Sequence, residues 1–140
     1  MEVACGQCIG CRLDRSRVWA MRIIHECSLH EFDEGNCFVT LTYDDEHVPG
    51  DWSLRKSDFQ KFMKRLRKGH AQRIRFFHCG EYGNVCRHRL EVESCEYCNV
   101  GRPHYHAILF NVSFRDLECV GARNGVEYFT SAKLQAFWPL

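Results

Sequence analysis

Two histidines one residue apart, His104 and His106, stand at the start of a short apolar run that ends at Phe110. Side chains alternate along a β-strand, so both imidazoles are predicted to project from one face, while Tyr105 points away. Imidazole is a common metal ligand, and two imidazoles on one face can bind a single ion. Taken alone, such a pair is also typical of a solvated or hydrogen-bonded strand edge.

A carboxylate upstream favours the metal interpretation. Gly80 and Gly83 flank Glu81 at the end of a second predicted strand, residues 74–83. The glycines are expected to let the backbone turn and to bring the carboxylate beside a neighbouring strand. Two imidazoles and one carboxylate leave open positions for water and a substrate oxygen, which metal-assisted phosphodiester chemistry needs. Without the histidines, Glu81 would be interpreted as an exposed turn residue.

The cysteines offer a second candidate chemistry, since ten are present in 140 residues. The amino terminus lacks the basic and apolar segments of a secretory signal, so reduced thiols or metal ligands are expected rather than disulfides. Cys-x-x-Cys spacing lets two thiolates chelate one ion. Two groups have this spacing: Cys5, Cys8 and Cys11 in the first, and Cys86, Cys95 and Cys98, with His88, in the second.

Each group could hold structural zinc. The second suggests a cysteine-rich insertion at residues 84–100, where a long loop held by zinc costs less entropy than a free loop. Free cysteines in a surface loop are the alternative. The first group has no obvious fourth ligand, which Cys27 or a cysteine of the insertion could provide. An iron–sulfur cluster could also use three nearby cysteines and a distant one.

A segment between Ser53 and Arg75 has nine basic residues and a single acidic one, Asp58, although the formal net charge of the chain is only +1. Apolar residues within it recur at helical spacing and predict the buried stripe of a helix: Phe59, Phe62, Met63 and Leu66. The opposite face carries Lys61, Lys64, Arg65 and Lys68. We expect this basic face to contact nucleic-acid phosphates; a solvated helix surface is the alternative.

The remaining segments predict the elements that must position these groups. Residues 12–30 predict a helix, residues 37–43 a strand, and residues 125–130 a strand or turn before a short final helix. The expected fold class is α+β, in a single domain over residues 1–140, with 45% hydrophobic and 13% aromatic residues to build one core. No apolar run approaches membrane-spanning length, so no membrane partner is expected.

Three segments, in chain order, resemble motifs of the HUH endonucleases, the rolling-circle replication initiators. They are Phe38-Val39-Thr40-Leu41-Thr42-Tyr43, Gly80-Glu81-Tyr82-Gly83 and His104-Tyr105-His106. A closer resemblance, over nearly the whole chain, is to the replication initiators of the gokushovirus-type microviruses. It rests on Cys5-Gly6-Gln7-Cys8 with Cys11-Arg12, Leu41-Thr42-Tyr43-Asp44-Asp45-Glu46-His47, Phe62-Met63-Lys64-Arg65-Leu66-Arg67 and Gly101-Arg102-Pro103-His104-Tyr105-His106.

This resemblance implies a fold, a site and a function. The fold would be an HUH endonuclease-like antiparallel sheet covered by helices, with Glu81, His104 and His106 as ligands of Mg²⁺ or Mn²⁺. The function would be replication initiation, by site-specific nicking and joining of single-stranded DNA at a viral rolling-circle origin. The expected location is the cytoplasm of a host bacterium, with host replication proteins such as a helicase as further partners. Two imidazoles favour manganese, because magnesium prefers oxygen ligands.

The chain departs from the family pattern at the nucleophile. HUH enzymes carry a nucleophilic tyrosine on a helix after the His-x-His strand, usually with a lysine one turn away. After that strand this chain has only Tyr128, and Lys133 follows at five positions rather than at helical spacing. We therefore expect the amino-terminal portion of an initiator, incomplete at its carboxyl end, that does not nick alone. Tyr43 and Tyr105 are expected in the core, and Tyr82 at a strand end.

A non-catalytic, zinc-stabilised module that binds single-stranded DNA is the alternative function. Stacking aromatic residues and the basic face would then carry the binding, and the histidines would be structural. Replacing His106 separates the two functions. Only the metal-dependent function predicts a loss of divalent-ion binding with unchanged DNA affinity in EDTA.

Overall fold

The computed structural model describes residues 3–30, 34–83 and 100–140, and within them three helices and five strands. In chain order these are α1 (Ile9–Ser28), β1 (Asn36–Thr42), α2 (Lys56–Lys68), β2 (Arg75–Tyr82), β3 (Pro103–Phe110), β4 (Leu117–Arg123), β5 (Val126–Ser131) and α3 (Ala132–Phe137). The prediction of an α+β protein is confirmed. Within the three described ranges, no helix is long and apolar enough to cross a membrane.

Three antiparallel strands form the sheet that positions the candidate chemistry, in the order β1-β3-β2. Burial alternates along the central strand β3: Tyr105, Ala107 and Leu109 are at most 3% exposed, whereas His104 and His106 are only half-buried. Alternation gives the sheet two different faces. We call the side with Tyr105 the core face, and the side with His104 and His106 the histidine face.

Helix α2 covers the core face. Its predicted apolar stripe is confirmed as the buried side, with four residues at most 3% exposed: Phe59, Phe62, Met63 and Leu66. Asp58 in the first turn and three basic residues in the last turn complement the helix dipole. Burying side chains of this size contributes about 1.5–3 kcal/mol each relative to leaving them in water, so α2 is held firmly on the sheet.

The predicted short final helix is confirmed as α3, which completes the core face. Its N-cap is Ser131, whose hydroxyl oxygen accepts a hydrogen bond from Leu134 N–H over 3.1 Å. Just after α3, the indole of Trp138 packs against the ring of Tyr43, and Nε1–H donates to the carbonyl oxygen of Thr42 over 2.7 Å. The end of the chain is therefore fastened to the sheet.

Helix α1 covers only one end of the histidine face. Trp19 packs on Phe77 with ring centroids 5.2 Å apart, and Arg75 Nη1 lies 2.9 Å from Glu26 Oε2. Phe77 and Arg75 belong to the histidine face because they alternate in step with Glu81 along β2. No residue of α1 is buried. The other end of this face, around Glu81, remains open.

Two features differ from the predicted elements. Helix α1 begins at Ile9 and ends at Ser28, where residues 12–30 were predicted, so the third cysteine of the chain's first cysteine group lies inside the helix. Strand β4 was not predicted, and it pairs with β5, the segment around Tyr128, in a separate two-stranded sheet. All seven residues of β4 are exposed, so no apolar alternation marks this strand in the sequence.

Candidate metal centre and basic groove

The three predicted metal ligands meet on the histidine face of the sheet. Glu81 of β2 lies directly opposite His104 of β3 in the antiparallel register, and His106 follows on the same side. Glu81 Oε2 is 3.9 Å from His104 Nε2 and 3.7 Å from His106 Nε2. The ligand atoms of all three residues lie within 4.8 Å of one another. Small side-chain rotations would bring all three onto one ion.

The other nitrogen of each imidazole is engaged by the sheet. His104 Nδ1–H donates to the carbonyl oxygen of Arg102 over 3.3 Å, and His106 Nδ1 lies 3.0 Å from Thr40 Oγ1 on β1. A hydrogen bond donated from Nδ1 leaves the lone pair of Nε2 available to a cation. In both rings Nε2 is the nitrogen that faces Glu81. The sheet thus holds both imidazoles as metal ligands are usually held.

Sequence reasoning missed Thr40 and Arg102. The guanidinium of Arg102 donates to Asp45 Oδ1 over 2.7 Å and to the carbonyl oxygen of Tyr43 over 2.8 Å. It therefore orders the loop after β1, while its own carbonyl orders His104. Thr40 pairs with its histidine only because of the register between β1 and β3, which the sequence does not display.

Solvent reaches the three ligands to different extents. The side chains of His104 and His106 are 20% and 27% exposed, and the Glu81 side chain is 54% exposed. Phe38 stacks on the His106 ring, with centroids 5.4 Å apart, and restricts this imidazole from one side. Half-buried imidazoles beside an exposed carboxylate form an open site, which can admit a phosphate oxygen as well as water.

Gly80 has a different role from the predicted one. Strand β2 continues through Gly80 and Glu81 without a turn. A Cβ atom at position 80 would lie 2.8 Å from Leu54 Cδ1. The prediction of a glycine-driven turn is therefore wrong. Strand pairing with β3 places the carboxylate, and the missing side chain of Gly80 makes room for Leu54.

Cys79 is a further group at the centre that sequence reasoning did not single out. It lies opposite His106 in the register, and its thiol donates to Glu81 Oε1 over 3.6 Å. Partial burial and then the charge of Glu81 raise the pKa of the Cys79 thiol. The thiol therefore stays protonated and orients the carboxylate. Strand alternation from Glu81 is the signal that could have identified it.

Within the described ranges, no tyrosine is placed as a nucleophile for this centre. Tyr43 and Tyr105 are buried in the core, as predicted, and the Tyr43 hydroxyl donates to Asp58 Oδ2 over 2.9 Å. Burial, and then hydrogen bonding to Tyr105 and Asp58, raise the pKa of Tyr43. The Tyr82 hydroxyl oxygen accepts a backbone N–H from the segment before α2. Tyr128 lies in β5, in the separate hairpin.

The first cysteine group forms another cluster, at the start of α1. The Sγ atoms of Cys5, Cys8 and Cys11 lie within 4.8 Å of one another. Backbone hydrogen bonds from Cys8 and then Gln7 lower the pKa of the Cys5 thiol to about 7. Cys27, the candidate fourth ligand, lies in the last turn of the same helix. The second group lies outside the described residues, as do positions 84–99 of the predicted insertion: Cys86, His88, Cys95 and Cys98.

The predicted DNA-contact residues of α2 have different surroundings. Lys64 and Lys68 are exposed, and so is Lys61, which forms a 3.5 Å salt bridge with the acidic residue three positions earlier. Arg65 is half-buried, and its Nε–H donates to the carbonyl oxygen of Phe137 over 2.7 Å. Arg65 therefore ties α2 to the end of α3, and any contact with DNA would have to compete with this hydrogen bond.

A cavity of about 340 Å³ lies between α2 and the edge strand β2. We call it the basic groove, and it is lined by Lys56, Phe59, Gln60, Met63, Lys64, Arg67, Phe76 and His78. His78 stacks on Phe59 with ring centroids 3.9 Å apart, and the Arg67 guanidinium lies 5.3 Å from the centre of the Phe76 ring. Burial and then the charge of Lys56 lower the pKa of His78, so its ring is neutral at pH 7. The groove combines flat aromatic surfaces with a cationic rim.

Comparisons with known proteins cover most of this chain. The family model for the replication-associated protein ORF2 matches residues 36–140. The chain is 34% identical over 146 residues to the replication-associated protein ORF2 of Spiroplasma virus 4, which covers 98% of this chain and 41% of that protein. It is 32% identical over 143 residues to the replication-associated protein VP4 of Bdellovibrio phage phiMH2K, covering 96% of this chain and 40% of that protein. The chain thus spans about two fifths of the length of these curated relatives. No solved structure matches it.

Proposed function

This chain belongs to the ORF2 family of replication-associated proteins, and from that membership we propose that it takes part in starting the replication of a viral genome. The resemblance to the replication initiators of microviruses is confirmed by the family match and by both relatives. We further propose that the full-length protein nicks and rejoins single-stranded DNA at the viral origin, using Mg²⁺ or Mn²⁺ held by Glu81, His104 and His106. An HUH-type fold is part of this proposal.

The main support for the proposal is the arrangement of the three ligands. The Nε2 atoms of His104 and His106 face the same carboxylate oxygen of Glu81, at 3.9 and 3.7 Å. These separations are too long for good hydrogen bonds, although both Nδ1 atoms are already satisfied by other partners. A structural histidine pair would be expected to close such gaps. An ion placed between the three atoms would use all of them at once.

A divalent ion bound here would polarise a phosphate oxygen and offset the charge that develops during attack on phosphorus. In the nicking step, a tyrosine oxygen forms a bond to phosphorus while the bond to the 3′ oxygen breaks, leaving a free 3′ hydroxyl. Attack by that hydroxyl on the same phosphorus later rejoins the strand and releases the tyrosine. We propose that this tyrosine comes from outside the described residues, so the chain alone does not nick.

Single-stranded DNA is proposed to bind in the basic groove. Lys56, Lys64 and Arg67 supply the positive charge that phosphates require, and Phe76 and His78 supply surfaces on which bases stack. The exposed lysines further along α2 extend this positive surface. We propose that the DNA is the viral origin, that binding occurs in the host bacterial cytoplasm, and that a host helicase acts on the same strand.

Calorimetric titration of Mn²⁺ into the 140-residue chain tests the metal centre. His106→Ala is expected to weaken Mn²⁺ binding by more than about 100-fold, beyond the effect of losing an outer-sphere partner. Its affinity for single-stranded DNA in EDTA is expected to stay unchanged. The matched control is His25→Ala, which removes an exposed imidazole from α1 and should bind Mn²⁺ like the wild type. Unchanged Mn²⁺ affinity in His106→Ala would contradict the proposal.

A zinc-stabilised module that binds single-stranded DNA without catalysis is the second candidate function. The basic groove favours it, because cations and stacking rings suffice for binding. Both functions predict that Lys64→Ala lowers DNA affinity and that the loss shrinks as salt rises. They differ at Glu81, since the second candidate predicts wild-type Mn²⁺ binding in Glu81→Gln.

A further inference from the structure

Three cysteine side chains converge at the amino terminus of α1, on a surface where no other described element packs closely. We propose that Cys5, Cys8 and Cys11 bind one zinc ion, which fastens the segment before α1 to the first turn of that helix. This site is separate from the proposed function, since its ligands are thiolates and it lies outside the histidine face.

The positions of the sulfur atoms match the size of a zinc site. Cys5 Sγ and Cys11 Sγ are 3.9 Å apart, and all three sulfurs, including that of Cys8, lie within 4.8 Å of one another. Zinc–sulfur bonds of about 2.3 Å in tetrahedral geometry place sulfurs about 3.8 Å apart. A disulfide would need a separation of about 2.05 Å. The cluster is therefore already spaced for one ion between the sulfurs.

The local backbone explains how three such close residues can converge. Gly6 has φ +73°, a left-handed conformation that turns the chain back between the first two cysteines. Cys8 then caps the helix: its carbonyl oxygen accepts the first helical hydrogen bond, from Arg12 N–H over 3.0 Å. Cys11 lies in the first turn, on the side that faces Cys5.

The helix end also favours negatively charged sulfur. The Cys8 side chain makes no capping hydrogen bond, and Cys8 N–H donates instead to Cys5 Sγ over 3.3 Å. Thiolates near a helix amino terminus are stabilised by the helix dipole and by free backbone N–H groups. A zinc–thiolate cluster would therefore act where a serine or aspartate cap usually acts.

Ligand chemistry selects the ion and distinguishes this site from the metal centre. Thiolates are soft ligands that select zinc over Mg²⁺ and Mn²⁺. The described residues contribute three ligands, and the fourth position of the ion is left to a group outside them. Because no residue of α1 is buried, packing holds this helix weakly, and a bound ion would order its first turn.

The zinc content of the full chain, purified with reductant and dialysed against zinc-free buffer, tests the proposal. We expect Cys5→Ser, and the Cys5→Ser/Cys8→Ser/Cys11→Ser variant, to hold one zinc fewer per chain than the wild type. Cys119→Ser removes another exposed thiol, and His106→Ala alters the metal centre; both should retain the wild-type zinc content. Cys5 precedes α1, so its replacement leaves the packed core intact.

Cobalt substitution and alkylation supply readouts that a purely structural cysteine would not change. The Co²⁺-loaded chain should show thiolate-to-cobalt charge-transfer absorption that weakens in Cys5→Ser and Cys11→Ser, but not in Cys119→Ser. Zinc should protect these sulfurs from iodoacetamide while Cys119 is modified. Unchanged zinc content in the triple variant, a Cys5–Cys11 disulfide under reducing conditions, or the visible absorption of an iron–sulfur cluster would each overturn the proposal.

Discussion

The two faces of the three-stranded sheet are covered by helices of opposite character. On the core face, α2 buries four large side chains, among them Phe62 and Leu66, which are both 0% exposed. On the histidine face, α1 buries none and leaves Ile24 64% exposed. Strand β3 serves both sides, because its alternate residues point to opposite faces. Packing is therefore concentrated on one face of the sheet and chemically active groups on the other.

This division follows from what each face has to do. A metal centre that acts on DNA must let a phosphate reach the ion, so a helix packed fully over Glu81 would exclude the substrate. Helix α1 instead contacts the far end of the histidine face through Trp19 and Glu26. The core face has no such requirement, and dense packing there can hold the histidines in place from behind.

The largest expected effect separates the two helices by stability. Phe62→Ala should lower the free energy of unfolding by about 3–5 kcal/mol, because it leaves a cavity in the core. Ile24→Ala, the control on α1, should change it by less than about 0.5 kcal/mol. Urea denaturation followed by circular dichroism measures both. Equal losses would contradict the difference between the faces.

The next effect concerns the support of the metal ligands from the neighbouring strand. Thr40→Val keeps the size of the side chain but removes the partner of His106 Nδ1, so Mn²⁺ affinity should fall by about tenfold. Thr42→Val is the matched control, on the same face opposite His104. It should leave Mn²⁺ affinity within about twofold of the wild type, because among the described residues no hydrogen bond to the Thr42 hydroxyl is present. Calorimetric titration at one pH compares the two, and equal affinities would remove Thr40 from the site.

A smaller effect is expected where α3 closes the core face. Ser131→Ala removes the N-cap of α3 and a 2.9 Å hydrogen bond to Asp116 Oδ1, and it should cost about 1 kcal/mol of unfolding free energy. Ser28→Ala, at the exposed end of α1, should cost less than about 0.5 kcal/mol. Should Ser28→Ala prove the more damaging change in urea denaturation, the ranking of the two sides would be wrong.

The smallest expected effect is a dependence of stability on pH near Asp116. Its carboxylate accepts Lys133 N–H and the Ser131 hydroxyl, and these hydrogen bonds lower its pKa below the usual value of 3.8. A lowered folded-state pKa means that the contribution is complete above pH 3.8 and is lost as the pH falls below it. The stability advantage of the wild type over Asp116→Asn should therefore shrink between pH 5 and pH 3, as about the window of this titration. An advantage that is constant with pH in urea denaturation would show that the carboxylate makes no such contribution.

The sequence predicted those parts of the fold whose residues repeat with a clear period. The stripe from Phe59 to Leu66 has helical spacing and is buried as predicted, and His104 and His106 share a face because side chains alternate in a strand. Glu81 was placed beside them correctly, although for the wrong reason. Its position comes from strand pairing rather than from a glycine turn.

The remaining features depend on which segments meet in space. Thr40 and Arg102 support the histidines only through strand register and loop contacts, which one sequence does not reveal. Arg65 has the periodicity of an exposed cation, yet α3 lies close enough to accept its hydrogen bond. Strand β4 has no buried residue, so it has no periodic signal to detect.

Anomalous scattering from a crystal of the chain grown with Mn²⁺ tests the central claim most directly. The account predicts a manganese peak on the histidine face, bounded by the Nε2 atoms of His104 and His106 and by the carboxylate of Glu81. The same crystal form of His25→Ala should keep the peak, and His106→Ala should lose it. Manganese found elsewhere, with none between these three side chains at a concentration that saturates binding in solution, would contradict the account.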